Sequence, residues 1–286
     1  MVSRRGKILN LPFVVVGCFM LAMTLFFDTS KADETEDITI SSNTSWSAGT
    51  YTYRDITITN NATLTLQGSY TDDNDGIGVT INARNITIDT GSSIRADGQG
   101  YLLNSGPGKG YIGKTSYGSG GAHGGNGGAA SLDDIQLENS LIYDVIFRPS
   151  KLGSGGGGTN AGSGGGAIII NVAGDVNING SISANGTASS HYKGGGGSGG
   201  TVSITANSVI GSGSISANGG NGNSGGGGGG IVSVYYKENF SLISGNISAT
   251  GGSGFNGRFG DQGAVIIYNE NQRDLNVIQN LVLRKN

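Results

Sequence analysis

Few side chains in this sequence have the types and spacing that catalysis or ligand binding requires. The turn 71–76 (Thr-Asp-Asp-Asn-Asp-Gly) resembles half of a calcium-binding loop. A full loop with its glycine at position 76 would begin at Thr71 and end at Asn82, where Asp and Glu are needed. We therefore interpret this segment as a polar turn and predict no metal site there.

The two histidines and one glycine-rich segment are the next candidates. His123 and His191 lie far apart in sequence without further ligands at the spacing of a zinc site. Residues 108–115 match the spacing of a phosphate-binding loop, with Lys114 and Thr115 at its end. Because no apolar strand precedes this segment and no helix is predicted after it, we interpret the match as chance.

Polysaccharide lyases and hydrolases need clustered carboxylates, or Asp with Lys or Arg, on one exposed face. The only charged group close to predicted strands is Asp89 with Arg95 and Asp97, which we interpret as solvated residues at the edge of a coil. The sequence thus predicts no catalytic, cofactor-binding or metal-ligating residue and no cofactor. It favours a protein without enzymatic activity.

Composition narrows the possible classes of protein. The chain has 286 residues, of which 56 are Gly, three are Pro and one is Cys, with 17 Lys and Arg against 20 Asp and Glu. Collagen requires Gly at every third position and abundant Pro, and a disulfide scaffold requires several Cys. A net charge of −3 argues against nucleic acid as a partner.

The N-terminal segment predicts export. Arg4, Arg5 and Lys7 precede an apolar run at 8–27, and Ser30 and Ala32 are small residues suited to signal peptidase. We predict a signal peptide at 1–32 and a secreted or cell-surface product without a membrane span after cleavage. Two alternatives are a retained membrane anchor and lipidation of Cys18.

Glycine is concentrated in one part of the chain, and that part repeats. Residues 98–263 hold 49 of the 56 glycines, and apolar strand-like runs follow the glycine clusters at intervals of 34, 30 and 33 residues. Each of the first three strand-like runs is followed by a second and a third short apolar run. The same order of three runs occurs once upstream, at 78–98. The four leading runs are 166–172, 200–206, 230–236 and 263–268.

Three short strands in 30–34 residues predict one coil of a parallel β-solenoid, because each coil buries its apolar face only against its neighbours. Ile182, Ile215 and Ile247 should form one internal ladder, and Ala184, Ala217 and Ala249 a second. The glycine clusters should stack as extended segments beside the coils, since Gly permits positive φ and close backbone approach. Residues 33–286 are predicted to be a single all-β domain, with tandem coils at about 166–268 and a glycine-rich insertion at 98–165. Residues Ile169, Ser203, Ser233 and Ile266 should point outward from the leading strands.

The segments 197–204, 211–220 and 228–236 resemble the glycine-rich repeats of large bacterial surface and secreted proteins, and 120–128 and 149–158 resemble the segments that precede those repeats. The resemblance covers roughly residues 75–270. It implies a right-handed parallel β-helix of the pectin-lyase-like kind, on extracellular proteins whose role is mostly unassigned.

These features predict a secreted or cell-surface structural or adhesive β-helix without catalytic activity. The alternative is a β-helix that binds or cleaves polysaccharide, with its site near the insertion. Expected partners are polysaccharide or other surface components, and further copies of the chain through its open solenoid ends.

Overall fold

The computed structural model of the chain describes residues 36–131, 142–272 and 274–279. The described residues contain β-strands and two short 3-10 turns, Ser244–Asn246 and Phe255–Gly257, and no α-helix. No helix within this part of the chain is long and apolar enough to cross a membrane. The predicted signal peptide at 1–32, including Cys18, lies outside the described residues.

The strands, numbered in chain order, form three sheets. The first sheet contains β1 (Ile38–Ile40), β4 (Asp55–Ile58), β7 (Asn85–Ile88), β10 (Asp175–Ile178), β13 (Ser208–Ile210) and β16 (Asn239–Phe240). The second contains β2 (Thr44–Trp46), β5 (Thr63–Leu66), β8 (Ser93–Arg95), β11 (Ser181–Ser183), β14 (Ser214–Ser216) and β17 (Ile247–Ser248). The third contains β3 (Gly49–Thr52), β6 (Val79–Ala83), β9 (Ala167–Val172), β12 (Thr201–Thr205), β15 (Ile231–Tyr236), β18 (Ala264–Asn269) and β19 (Asp274–Gln279).

The chain visits the three sheets in turn, so each coil contributes one strand to each sheet. All neighbouring strands are parallel except β18 and β19, which are antiparallel. Alternation of apolar and polar residues sends every second side chain inward, where it meets the equivalent residue of the next coil. One such column in the third sheet is formed by Ile81, Ile170, Ile204, Val234 and Ile267, all buried.

This architecture confirms the predicted parallel β-helix; its right-handedness stays a prediction. Ile182 pairs in register with Ile215, and Ile215 with Ile247, so the predicted isoleucine ladder is confirmed. Ala184, Ala217 and Ala249 are fully buried beside it. The coil that begins at Ile38 was missed, because its strands are short and two of them lack the Ile or Val pattern of later coils.

The glycine clusters form an ordered array beside the coils, which we call the glycine bundle (residues 118–128, 153–166, 194–200, 219–230 and 251–263). Its segments bond to one another through the backbone: the N–H groups of Gly121, Gly196 and Gly228 donate to the carbonyls of Gly196, Gly225 and Gly121, each at 2.9 Å. Among these glycines only Gly158 and Gly257 have positive φ. Close approach of backbones, rather than unusual φ, is thus what requires glycine in most of the bundle.

The contact distances show how tight this approach is. A Cβ added at Gly118 would lie 1.8 Å from the carbonyl oxygen of Gly157, and one at Gly196 would lie 1.9 Å from that of Gly220. Real Cβ atoms do not approach backbone this closely. Even alanine is therefore excluded at these positions unless the segments separate.

The outward face of the third sheet is largely covered. Ser203, Ser233 and Ile266 point outward but are buried, with exposed fractions of 5%, 0% and 1%, and Ile169 is half-buried. The end of the insertion lies against this face: Thr201 Oγ1 donates to the carbonyl of Lys151 at 2.9 Å, and the Arg148 guanidinium lies 5.1 Å from the centre of the Tyr235 ring. Tyr101, Leu152 and Ala167 form a second small apolar cluster there, with Tyr70 and Ile169 packed against it. The residues therefore point outward as predicted, and the end of the insertion folds back over this face of the sheet.

Candidate binding surface

Three loops meet at one edge of the glycine bundle. They are the insertion loop near Tyr117, the turn at His191–Lys193 and the 3-10 turn Phe255–Gly257. Gly118 N–H, next to Tyr117, donates to the carbonyl of Lys193 at 2.8 Å and joins the first two loops. Gly226 N–H of the glycine bundle donates to the carbonyl of Arg258 at 2.9 Å and joins the third loop to the bundle. The position of each loop is therefore set by the bundle beneath it.

Aromatic and basic side chains on these loops touch one another, and we call this group the tip surface. The Tyr117 and Tyr192 rings lie 6.2 Å apart in an edge-to-face arrangement, and His191 lies 4.5 Å from Tyr192. The Lys193 ammonium lies 5.7 Å from the Tyr117 ring centre, and the Arg258 guanidinium 5.9 Å. The tip surface comprises Tyr117, His191, Tyr192, Lys193, Phe255 and Arg258.

The tip surface combines exposed rings with positive charge. Tyr192 and Phe255 are 59% and 58% exposed, and Phe259, four residues after Phe255, is 61% exposed. Within the described residues, neither Lys193 nor Arg258 forms an ion pair with a carboxylate. The Arg258 guanidinium instead donates to the carbonyls of Ala130 and Phe255, the latter at 2.9 Å. A ligand that offers an apolar face and a negative group would meet both kinds of side chain at once.

The acidic turn at 71–76 uses its carboxylates internally. Asp75 accepts hydrogen bonds from the Thr71 and Asp72 backbone and from the Thr71 hydroxyl, and these bonds lower its pKa. Asp73 pairs with Lys109 and accepts the Gly106 N–H at 2.8 Å, and its pKa is lowered chiefly by Lys109. No group of three or more acidic, His or Cys residues that could hold a metal occurs in the described ranges.

The segment that matches a phosphate loop is also engaged in internal bonds. Gly108 N–H donates to Ser154 Oγ at 2.9 Å, Gly110 N–H to the carbonyl of Gly155 at 2.9 Å, and Gly113 N–H to that of Tyr117 at 2.8 Å. A phosphate cradle needs such amides free and convergent. Residues 108–115 instead connect the insertion to the bundle and the tip surface.

Asp97 is a structural residue at the corner of a coil. Its carboxylate accepts the Asn185 N–H at 2.7 Å and the Ser183 hydroxyl at 2.9 Å, and Arg95 lies 3.6 Å away. Asn185 and Asn218 repeat the arrangement on the next coils, where their side-chain oxygens accept the N–H groups of Asn218 and Thr250 at 2.7 and 2.8 Å. This ladder links successive coils at the point where the chain leaves the second sheet.

Two carboxylates lie on the outer face of the first sheet, a placement that the sequence did not single out. Asp55 and Asp175 line an open groove of about 460 Å³ with Asn85 and Asn177. Asp55 is bonded by Arg84 and by the Asn85 amide at 3.0 Å, and the Arg84 hydrogen bond is the main cause of its lowered pKa. A carboxylate held in its charged form by a guanidinium is unsuited to act as a general acid.

A buried pair of side chains, His123 and Asp144, was not anticipated from the sequence. His123 Nδ1 lies 3.0 Å from the carbonyl of Gly199 and so donates to it, while Nε2 lies 3.5 Å from Asp144 Oδ2. The side chains are 0% and 3% exposed. Burial opposes ionisation of Asp144, but the nearby His123 imidazole and the Lys151 and Val145 N–H groups leave its pKa lowered overall.

The neighbours of this pair indicate a structural role. The Tyr143 hydroxyl donates to the carbonyl of Leu152 at 2.5 Å and lies 2.7 Å from Ser154 Oγ, and burial raises the pKa of Tyr143. Together these side chains tie the insertion to the bundle. The His123 and Asp144 side chains are buried and the Tyr143 hydroxyl is engaged by Leu152 and Ser154, so we assign them no catalysis.

No family model, curated protein or solved structure matches the chain.

The residues of the tip surface escaped sequence reasoning because they come from three distant loops. The available signal was the occurrence of aromatic and basic residues in short interruptions of glycine clusters, at 114–117, 191–193 and 255–259. Their contact depends on how the bundle segments align, which no local pattern encodes. His191, considered as a zinc ligand, lies in the tip surface, where its Nδ1 accepts the Lys193 N–H at 3.2 Å.

Proposed function

We propose that the chain is a secreted or cell-surface β-helix with a structural or adhesive role and no catalytic activity, of the type seen in glycine-rich repeat proteins of bacterial surfaces. The observation that carries this proposal is the rigid glycine bundle that holds exposed aromatic and basic side chains at its edge. Exposed apolar patches that are held in place favour binding, because the loops lose little conformational entropy when a partner docks.

The signal peptide predicted at 1–32 supports the proposed location. A chain that lacks Cys after residue 32 has no disulfides outside the cell. Stacked coils and backbone hydrogen bonds between glycine segments stabilise the fold without disulfide bonds, which suits such a setting. Several candidate acids are engaged in ion pairs or backbone bonds, which is consistent with binding rather than catalysis.

Localisation and activity assays on cells that express the full chain test this proposal. We expect the protein in the medium or accessible to protease on intact cells, and no release of oligosaccharide when it is incubated with a panel of polysaccharides, with and without calcium. Retention in the cytoplasm would refute the location. Cleavage of any polysaccharide would instead support the alternative, a polysaccharide-cleaving β-helix.

A further inference from the structure

We propose that the tip surface binds an acidic polysaccharide, with the Tyr192 and Phe255 rings stacking on sugar faces and Lys193 and Arg258 contacting carboxylate or sulfate groups. The inference rests on the proposed binding function and names its ligand class.

The rings carry the first part of the argument. Tyr192 and Phe255 lie on different loops and are both more than half exposed. Exposed aromatic rings pack against the flat, apolar C–H faces of sugars. Two rings on neighbouring loops provide contacts for more than one sugar unit of a chain.

The cations carry the second part. Lys193 and Arg258 lie over the same ring, that of Tyr117, so one aromatic side chain positions both charges. Lys193 also lies 5.6 Å from the Tyr192 ring centre, and Arg258 5.6 Å from that of Phe255. Each exposed ring therefore has a positive charge beside it. This is the pairing that a charged sugar, with an apolar face and an anionic substituent, would need.

Charge distinguishes this ligand from nucleic acid, which also stacks on aromatic residues and contacts cations. A nucleic-acid strand carries a phosphate at every unit and is bound through an extended basic track. The tip surface has two strong cations, and the chain as a whole carries a net charge of −3. An acidic polysaccharide, in which each anionic group lies next to an apolar sugar face, is the better match for two cations that lie beside aromatic rings.

The bundle explains why these side chains are available in one arrangement. The N–H of Phe255 donates to the carbonyl of Ser224 at 2.8 Å, and that of Ser224 to the carbonyl of Gly194 at 3.1 Å. The loops are thus bonded to the same glycine segments that align the coils. Binding requires little further ordering of the loops, which favours affinity.

Binding of the full-length protein to alginate, hyaluronan and chondroitin sulfate, measured by isothermal titration or biolayer interferometry, tests the inference. We expect binding to at least one of them, weakened by added salt, and no binding to dextran or to alginate whose carboxylates are esterified. Equal binding to alginate and its ester, no binding to any acidic chain, or tighter binding to an oligo-dT strand would each overturn the inference.

Variants locate the site. Lys193→Glu should lower affinity about tenfold, and Tyr192→Ala and Phe255→Ala about fivefold each. The matched controls are Lys237→Glu and Phe147→Ala, which change an exposed lysine and an exposed phenylalanine outside the tip surface and should leave affinity unchanged. Lys193→Gln removes the charge alone. If this variant binds more weakly but has the same urea midpoint as the wild type, the loss of binding is not caused by misfolding. Equal effects of the control and tip variants would overturn the inference.

The inference and the proposed function fail in different ways. If the chain is exposed on cells yet binds no acidic polysaccharide, only the ligand assignment is wrong. If the chain stays in the cytoplasm, the proposed function is wrong whatever the purified protein binds.

Discussion

The interior of the coils and the glycine bundle are both buried, yet they achieve burial in opposite ways. In the coils, Ile, Val and Leu side chains stack between sheets, and a residue such as Ile215 is enclosed by Ile182 and Ile247 of adjacent coils. In the bundle, backbones touch directly and Cβ atoms have no room. The stability of the coils therefore depends on the volume of their buried side chains. The stability of the bundle depends on the lack of side chains and on backbone hydrogen bonds.

The comparison predicts opposite responses to mutation. Removing atoms should destabilise the coils, and adding atoms should destabilise the bundle. The following predictions test that contrast, beginning with the largest effect.

A single methyl group in the bundle should have the largest effect. Gly196→Ala would place a Cβ 1.9 Å from the Gly220 carbonyl oxygen, so we expect a loss of more than about 3 kcal/mol in the free energy of unfolding, measured by urea denaturation. Gly245→Ala is the control, because a Cβ there has no heavy atom within 4 Å. Similar stability of the two variants would show that the bundle segments are loosely packed.

Truncation of a stacked side chain should be the next most costly change. Ile215→Ala leaves a cavity between two coils and should cost about 3 kcal/mol, whereas Ile215→Val should cost about 1 kcal/mol. Both follow from the same urea measurement. If Ile215→Ala destabilises the protein less than Ile215→Val does, the coils collapse around the missing atoms.

The corner ladder should contribute less. Asn218→Ala removes the side-chain oxygen that accepts the Thr250 N–H and should cost about 1 kcal/mol. Asn218→Asp keeps an acceptor at the same place, as Asp97 does two ladder positions earlier, and should cost less. If the aspartate variant is as unstable as the alanine variant, the ladder does not act through this hydrogen bond.

Acid should weaken the attachment of the insertion to the bundle. The pKa of Asp144 is lowered in the folded protein, so its contribution is present above the unfolded pKa of about 4 and is lost as pH falls through the lower folded value. We expect the stability difference between the wild type and Asp144→Asn, measured by urea denaturation, to shrink between pH 5 and pH 3 by about 1 kcal/mol. A difference that does not vary with pH would contradict the role of the charged form.

Much of the fold follows from sequence, because strands that stack like on like must repeat their apolar pattern. The runs at 167–172, 201–205 and 231–236 are strands in register, as their spacing predicts. Burial of the outward positions could not be predicted from the repeats, since the residues that lie against this face, such as Arg148 and Lys151, come from the insertion. The pairing of His123 with Asp144 and the assembly of the tip surface depend on the same long-range alignment of glycine segments, which repeat without side chains that would mark their register.

Amide hydrogen exchange tests the central claim, that the glycine segments form an ordered array bonded through the backbone. The N–H groups of Gly196, Gly199 and Gly228 donate to Gly225, Gly228 and Gly121. We predict that these amides are protected to the same degree as those of the β12 strand and exchange only on global unfolding. Exchange of the glycine amides at the rate of an unstructured chain, while the strand amides stay protected, would contradict the account.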